Sequence, residues 1–205
     1  MKFEELKRLG MAIREGETVG LPWNPDATKP KAKHAPRPEN RRVILSSHAA
    51  AAIRLLLLTG ARLREILHLR WDYVDLQRGI LTLPDSKTGK KVIVLNDAAV
   101  EVIENLSHVS SFVIAGDDPN KPRADLKRPW AAIVERASLK GLRIHDLRHT
   151  HASIGVAAGF GLPVIGKLLG HTQVQTTARY AHLDVHPLRR ASNEIGKAVS
   201  SALDV

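Results

Sequence analysis

The chain has 205 residues, 43% of them hydrophobic, so it is long enough to bury a sizeable core as one domain. It contains no cysteine, which excludes disulfides, thiol catalysis and thiolate metal sites and fits a reducing, cytoplasmic setting. Lysine and arginine number 31 against 21 acids, a net charge of +10 that suits a polyanionic partner, while an aromatic content of 4% argues against binding by base stacking.

In chain order, Phe3, Leu6, Leu9 and Ile13 recur at helical spacing and predict a first helix over about residues 1–15. The opening MKFEELKRLG has no apolar signal core, and no stretch of 18 apolar residues follows, so neither an export signal nor a membrane span is expected. Residues 21–42, LPWNPDATKPKAKHAPRPENRR, hold five prolines and many basic residues and read as an irregular connection. A solvated linker is the simplest account of it; a basic arm on nucleic acid is the alternative. SSHAAAAIRLLLL then predicts an apolar helix capped by Ser46 or Ser47 and ended at Thr59-Gly60. A second, amphipathic helix follows, with Leu63, Ile66 and Leu67 inward.

From Tyr73 the pattern changes. GILTLP and KVIVL flank the polar DSKTGK and predict a β-hairpin with Lys87 and Lys90 at its tip. Asn96 caps a helix expected through Leu106, and Pro129 opens one through Arg136. The remainder reads as helices stopped at Gly141, Gly159 and Gly170. A final helix over 188–203 carries an apolar stripe of Leu188, Ala191, Ile195, Val199 and Ala202, which needs a partner surface in its own domain or another molecule. The fold class is mainly α with a small antiparallel sheet, an α+β domain.

The densest chemistry lies in HDLRHTHAS, residues 145–153. His145 and His149 are one helical turn apart and so could face one metal ion. However, no HExxH pattern or completing acid accompanies them, and Arg148 between them would repel a dication. His145 and Arg148, three apart, also share a face; a guanidinium fork with a nearby imidazole suits phosphate. Taken alone such a pair is an ordinary surface feature. Likewise Arg62 with Glu65 in TGARLREILHLRW is an ordinary ion-paired helix start, Lys87 an ordinary hairpin turn residue, and Tyr180 an unremarkable exposed tyrosine.

Together, TGARLREILHLRW, LPDSKTGKKVIVL, IHDLRHTHAS and GKLLGHTQVQTTARYAHL resemble, in order and spacing, the catalytic domain of the tyrosine recombinases, the phage integrase family. The resemblance covers about residues 44–186, and FEELKRLG is similar to the family's first catalytic-domain helix, displaced by the proline-rich insert. It implies a single catalytic domain with a core over 43–186. Relatives carry a separate N-terminal DNA-clamping domain, which is expected to be absent here.

The resemblance also implies roles. Arg62 and Arg148 would hold the non-bridging oxygens of a scissile DNA phosphate, and Lys87 would protonate the leaving 5′ oxygen. His145 would assist proton transfer, His171 would hydrogen-bond the phosphate, and Tyr180 would be the nucleophile. Glu65 would orient its neighbours without reacting; His149 and His151 are left as structural. The partner implied is double-stranded DNA, with a homo-oligomer, a tetramer, assembled on it, in part through the last helix.

Elementary chemistry is compatible with these roles. Ionising a free tyrosine at neutral pH costs ~4 kcal/mol, which a cationic pocket reduces while stabilising charge on the phosphate. A phosphotyrosine retains the energy of the broken backbone bond, so neither nucleotide cofactor nor metal is expected. The competing readings are a non-catalytic DNA-binding module, suggested by GLPVIGKLLGHTQVQTTARY read as two short helices about a glycine turn, and a histidine-ligated metallohydrolase.

Overall fold

The structure, a computed structural model, describes residues 1–22, 41–86, 89–171, 176–177 and 195. The first helix, α1 (Phe3–Thr18), extends beyond the expected residue 15, and Glu5 secures its start by accepting the Lys2 amide at 2.6 Å. It buries Leu9, Ala12 and Ile13. The two ends of the proline-rich stretch are more ordered than the sequence suggests. They pair antiparallel as β1 (Leu21–Pro22) and β2 (Arg42–Val43), with Leu21 opposite Val43. A two-stranded ribbon has only edges, and an edge accepts a proline. Residues 23–40 lie outside the described residues.

The helix α2 (Ser47–Thr59) forms the centre of the domain, and its cap is Ser46, whose hydroxyl accepts the Ala49 amide at 3.2 Å. Four consecutive alanines, Ala49–Ala52, are 3% exposed or less. A helix apolar on all sides is stable only when neighbours surround it, and α2 is packed by α1 and by three further helices, α3 (Leu63–Leu67), α4 (Asp97–Glu104) and α6 (Asp146–Ala157). Its small residues let these approach closely.

After α3, a 3₁₀ turn (Trp71–Tyr73) leads to a three-stranded antiparallel sheet of β3 (Val74–Asp75), β4 (Ile80–Ser86) and β5 (Gly89–Val94), in that order. The pairing sets Leu81 opposite Ile93 and Leu83 opposite Lys91, with an irregularity between Leu83 and Ser86. Asn96 caps α4 through Ala99, but the helix stops at Glu104, short of Leu106. The helix α5 (Lys127–Arg136) has Pro129 in its first turn, where the missing amide hydrogen has no partner to lose. The last described helix, α7 (Leu162–Leu169), packs on α6.

The main core runs through α1 to α5 and the three-stranded sheet and reaches Leu147 at the start of α6. A second, small cluster of Ala152, Val156, Ile165 and Leu169 joins α6 to α7. Of the expected helix over 188–203 only Ile195 is described, helical and 65% exposed. Among the described residues no helix is long and apolar enough to cross a membrane.

Candidate active site

The turn between α2 and α3 begins the site. Gly60 ends α2 in the left-handed conformation, φ +64°, and a methyl group there would lie 2.7 Å from Cδ2 of Leu169 and 2.8 Å from Cδ2 of His151. Only glycine fits both the backbone and the space. The chain then turns outward, and Arg62 sits at the N-cap of α3.

Glu65, one turn later and 7% exposed at its side chain, gathers three donors. Its Oε2 accepts the Arg62 amide and the Lys91 ammonium, both at 2.8 Å, and its Oε1 accepts Nη1 of Arg62 at 2.9 Å. Burial pushes the carboxyl up, but these donors more than offset it and hold Glu65 below the usual carboxylate range. Lys91 is held below the usual lysine range. Burial is the main cause, the Arg148 and Arg62 charges add to it, and Glu65 opposes it. The partners differ because the carboxylate has several donors, whereas the ammonium has one carboxylate and two cations for neighbours.

Arg148 lies in the first turn of α6 and is only 5% exposed. Its Nη1 donates to the Gly60 carbonyl and its Nη2 to the Leu169 carbonyl at 2.8 Å. The guanidinium thus bolts the α2–α3 turn to the end of α7. A fixed guanidinium is a better anion receptor than a free one, because its entropy is already lost.

The end of α7 brings the next residue. Gly170 closes the helix at φ +68°, and a methyl group there would lie 2.5 Å from Cε of Lys91, so the lysine stem passes directly beneath it. His171 follows, half-buried, with its amide bonded to the Gly166 carbonyl at 2.8 Å and Nδ1 at 2.9 Å from Oγ1 of Thr177. Thr177 is itself 2% exposed, so the imidazole bonds to a buried neighbour. His145 stands at the N-cap of α6, exposed, one turn before Arg148, with its ring edge-on to that of His149 at 5.0 Å.

Arg62, Glu65, Arg148 and the segment carrying His171 therefore converge, although 109 residues separate Arg62 from His171 in the chain. His145 lies on the adjoining exposed turn. Lys87 and Tyr180 lie outside the described residues. His151 is a packing residue: Nδ1 is 3.0 Å from the Leu57 carbonyl, and the ring closes on Gly60. Among the described residues no group of three or more histidine or acidic side chains is arranged to hold a metal ion.

Sequence reading missed Lys91 and Thr177. Lys91 was detectable in principle, since it shares the two-residue phase of Ile93 and Leu95 and so points inward with them. Thr177 carries no such signal, because its role depends on Gly166 and His171 meeting it.

Comparison with known proteins bears on this arrangement. The integrase of Salmonella phage P22 is 29% identical over 189 residues, 78% of this chain and 49% of its own length. Tyrosine recombinase XerA of Saccharolobus solfataricus is 32% identical over 155 residues, 73% of this chain and 50% of its own. The chain spans about half the length of the curated relatives it matches. In fold it is similar to the XerA recombinase structure, with a TM-score of 0.65 at 21% identity over 95% of this chain and 64% of that one. The catalytic domain of bacteriophage HP1 integrase gives 0.59 at 22% identity, covering 94% of this chain and 92% of its own. XerH recombinase, crystallised on its difH substrate, gives 0.65 at 17% identity, over 94% of this chain and 52% of its own. The α+β architecture is thus that of the tyrosine recombinase catalytic domain, and residues 38–186 match the sequence model of the phage integrase family, to which the chain belongs.

Proposed function

We propose that this protein cleaves and rejoins double-stranded DNA site-specifically through a 3′-phosphotyrosine intermediate. The observation that carries the proposal is the convergence of Arg62, at the N-cap of α3, and Arg148, on α6, beside the His171 segment in one cationic cluster. A non-catalytic DNA-binding module would need no such buried arrangement, because contacts that merely position a duplex are made by exposed side chains along its backbone.

In the reaction proposed, the phenol of Tyr180 gives its proton to His145 as its oxygen attacks phosphorus, and the bond to the 5′ oxygen breaks. That oxygen takes a proton from Lys87, and the phosphate remains on the tyrosine. Attack by a 5′-hydroxyl reverses these steps and releases the phenol. Arg62 and Arg148 hold the non-bridging oxygens, His171 donates to the phosphate, and His145 moves a proton at the exposed edge. Glu65 holds Arg62. Charge developing on the phosphate is stabilised by groups already in place, where low local polarity strengthens them. We read residues 43–186 as the catalytic core, active in the cytoplasm. We further propose a tetramer formed on DNA with help from the helix over 188–203. That DNA is the partner is supported by the net charge of +10 and by the DNA-bound state of XerH.

The test is covalent capture on a pool of nicked duplexes of randomised sequence, read as a protein–DNA adduct that survives denaturation. The wild type forms the adduct; Tyr180→Phe binds the same duplexes and forms none. Equal capture by that variant would remove Tyr180 from its role.

A further inference from the structure

We propose that Lys91 is a positioning residue of this site: by neutralising Glu65 it leaves the charge of Arg62 available to an anion, and it ties the hairpin strand to the cap of α7. The inference rests on the strand-cleavage reading above. Arg62 and Glu65 alone make a closed ion pair, bonded through both the side chain and the backbone of Arg62. Such a pair has no net charge to offer a phosphate. Lys91, 2.8 Å from the same carboxylate, restores one positive charge to the group, and Arg148 adds a second.

Fold stability gives no reason for a lysine here. The side chains of Lys91 and Glu65 are 6% and 7% exposed, and ion pairs this buried are commonly neutral or unfavourable relative to apolar residues of the same volume. Position 91 faces inward beside Ile93, where an aliphatic side chain would suit the sheet. What the lysine does that an aliphatic residue cannot is join three segments remote in sequence. Its backbone belongs to β5, its ammonium reaches α3, and its stem lies under Gly170, next to His171. A shift of any one of the three is felt by the others.

The experiment uses an adduct-forming duplex recovered from the randomised pool. It compares the wild type with Lys91→Met, Lys91→Arg, and Lys91→Met combined with Glu65→Gln. At saturating duplex, Lys91→Met is expected to slow adduct formation by ~10- to 100-fold, the scale of a misplaced reacting group, with duplex affinity within about threefold of wild type. Lys91→Arg restores most of the rate. The double variant is faster than Lys91→Met alone, because no carboxylate remains to cancel Arg62. A purely structural lysine predicts the reverse: thermal stability, affinity and rate fall together, and the double variant is no better than the single. That result, or a wild-type rate in Lys91→Met, overturns the proposal while leaving the cleavage reading standing. Failure of the wild type to form any adduct ends both.

Discussion

The two apolar cores among the described residues are very unequal, and the candidate site is built across the boundary between them. The larger core packs α1 to α5 and the three-stranded sheet through side chains such as Leu55, Ile66 and Ile133, all fully buried. The smaller one has, among the described residues, four that are buried, Ala152, Val156, Ile165 and Leu169, which join α7 to α6. Within that cluster, little apolar surface joins α7 to the other described residues. Polar contacts supplement it: Arg148 donates to the Leu169 carbonyl, and Lys91 runs beneath Gly170. Of these two cations, Arg148 is proposed to hold the phosphate and Lys91 to free the charge of Arg62 for it. In the large core, packing and function are separable; in the small one they share side chains.

That contrast can be broken by experiment, beginning with the largest effect. Leu55→Ala, in the large core, is expected to cost about 3–5 kcal/mol and to lower protection from hydrogen exchange throughout the domain. Leu169→Ala, equally buried, is expected to cost about 2 kcal/mol, because the small cluster can collapse around the missing atoms. Its loss of protection should be confined to α7; a domain-wide loss would mean the two cores are one cooperative unit. Arg148→Ala leaves two buried carbonyls without their donor, at about 1–3 kcal/mol, and should likewise loosen α7 first. It should also abolish adduct formation. If α7 exchange is unchanged in that variant, the arginine has no structural share in the small core.

The smallest effect expected is a pH dependence at His151, which lies against the α2–α3 turn. Burial, reinforced by the Arg148 charge and opposed by the Leu57 carbonyl, holds this imidazole below the usual histidine range. The unfolded chain takes up a proton near pH 6.5 that the folded one resists. Stability from this residue is therefore complete above about pH 6.5 and is lost as the pH falls below it. His151→Gln, which can still bond the Leu57 carbonyl but does not titrate, should flatten that acid-side slope in denaturation midpoints measured from pH 7 to 5. An unchanged slope would assign it to other groups.

Much of this architecture is legible in the sequence. Ser46 and Asn96 cap α2 and α4 as their chemistry requires, and Gly60 and Gly170 close helices in the left-handed conformation. The hairpin strands β4 and β5 appear where the β-rich runs predict them, whereas β1 and β2, in the proline-rich stretch, are not legible there. These are local effects, decided by neighbours within a turn or two. Arg62, Arg148 and His171 were identifiable as candidates only because four separate motifs occur together in the order of a known family; each alone reads as an ordinary surface feature.

What the sequence determined by itself is the class of the domain, the caps and turns of its elements, the family and the set of candidate side chains. The tertiary structure decided which of those groups meet. It put Lys91 beneath Gly170 and against Glu65, Thr177 against His171, and Arg148 on two carbonyls 109 residues apart. Local rules stop short of such contacts because each depends on the packing of helices and strands that lie far apart in the chain. A charge on an inward-facing strand position reads as an error of pattern until the carboxylate that neutralises it is in view.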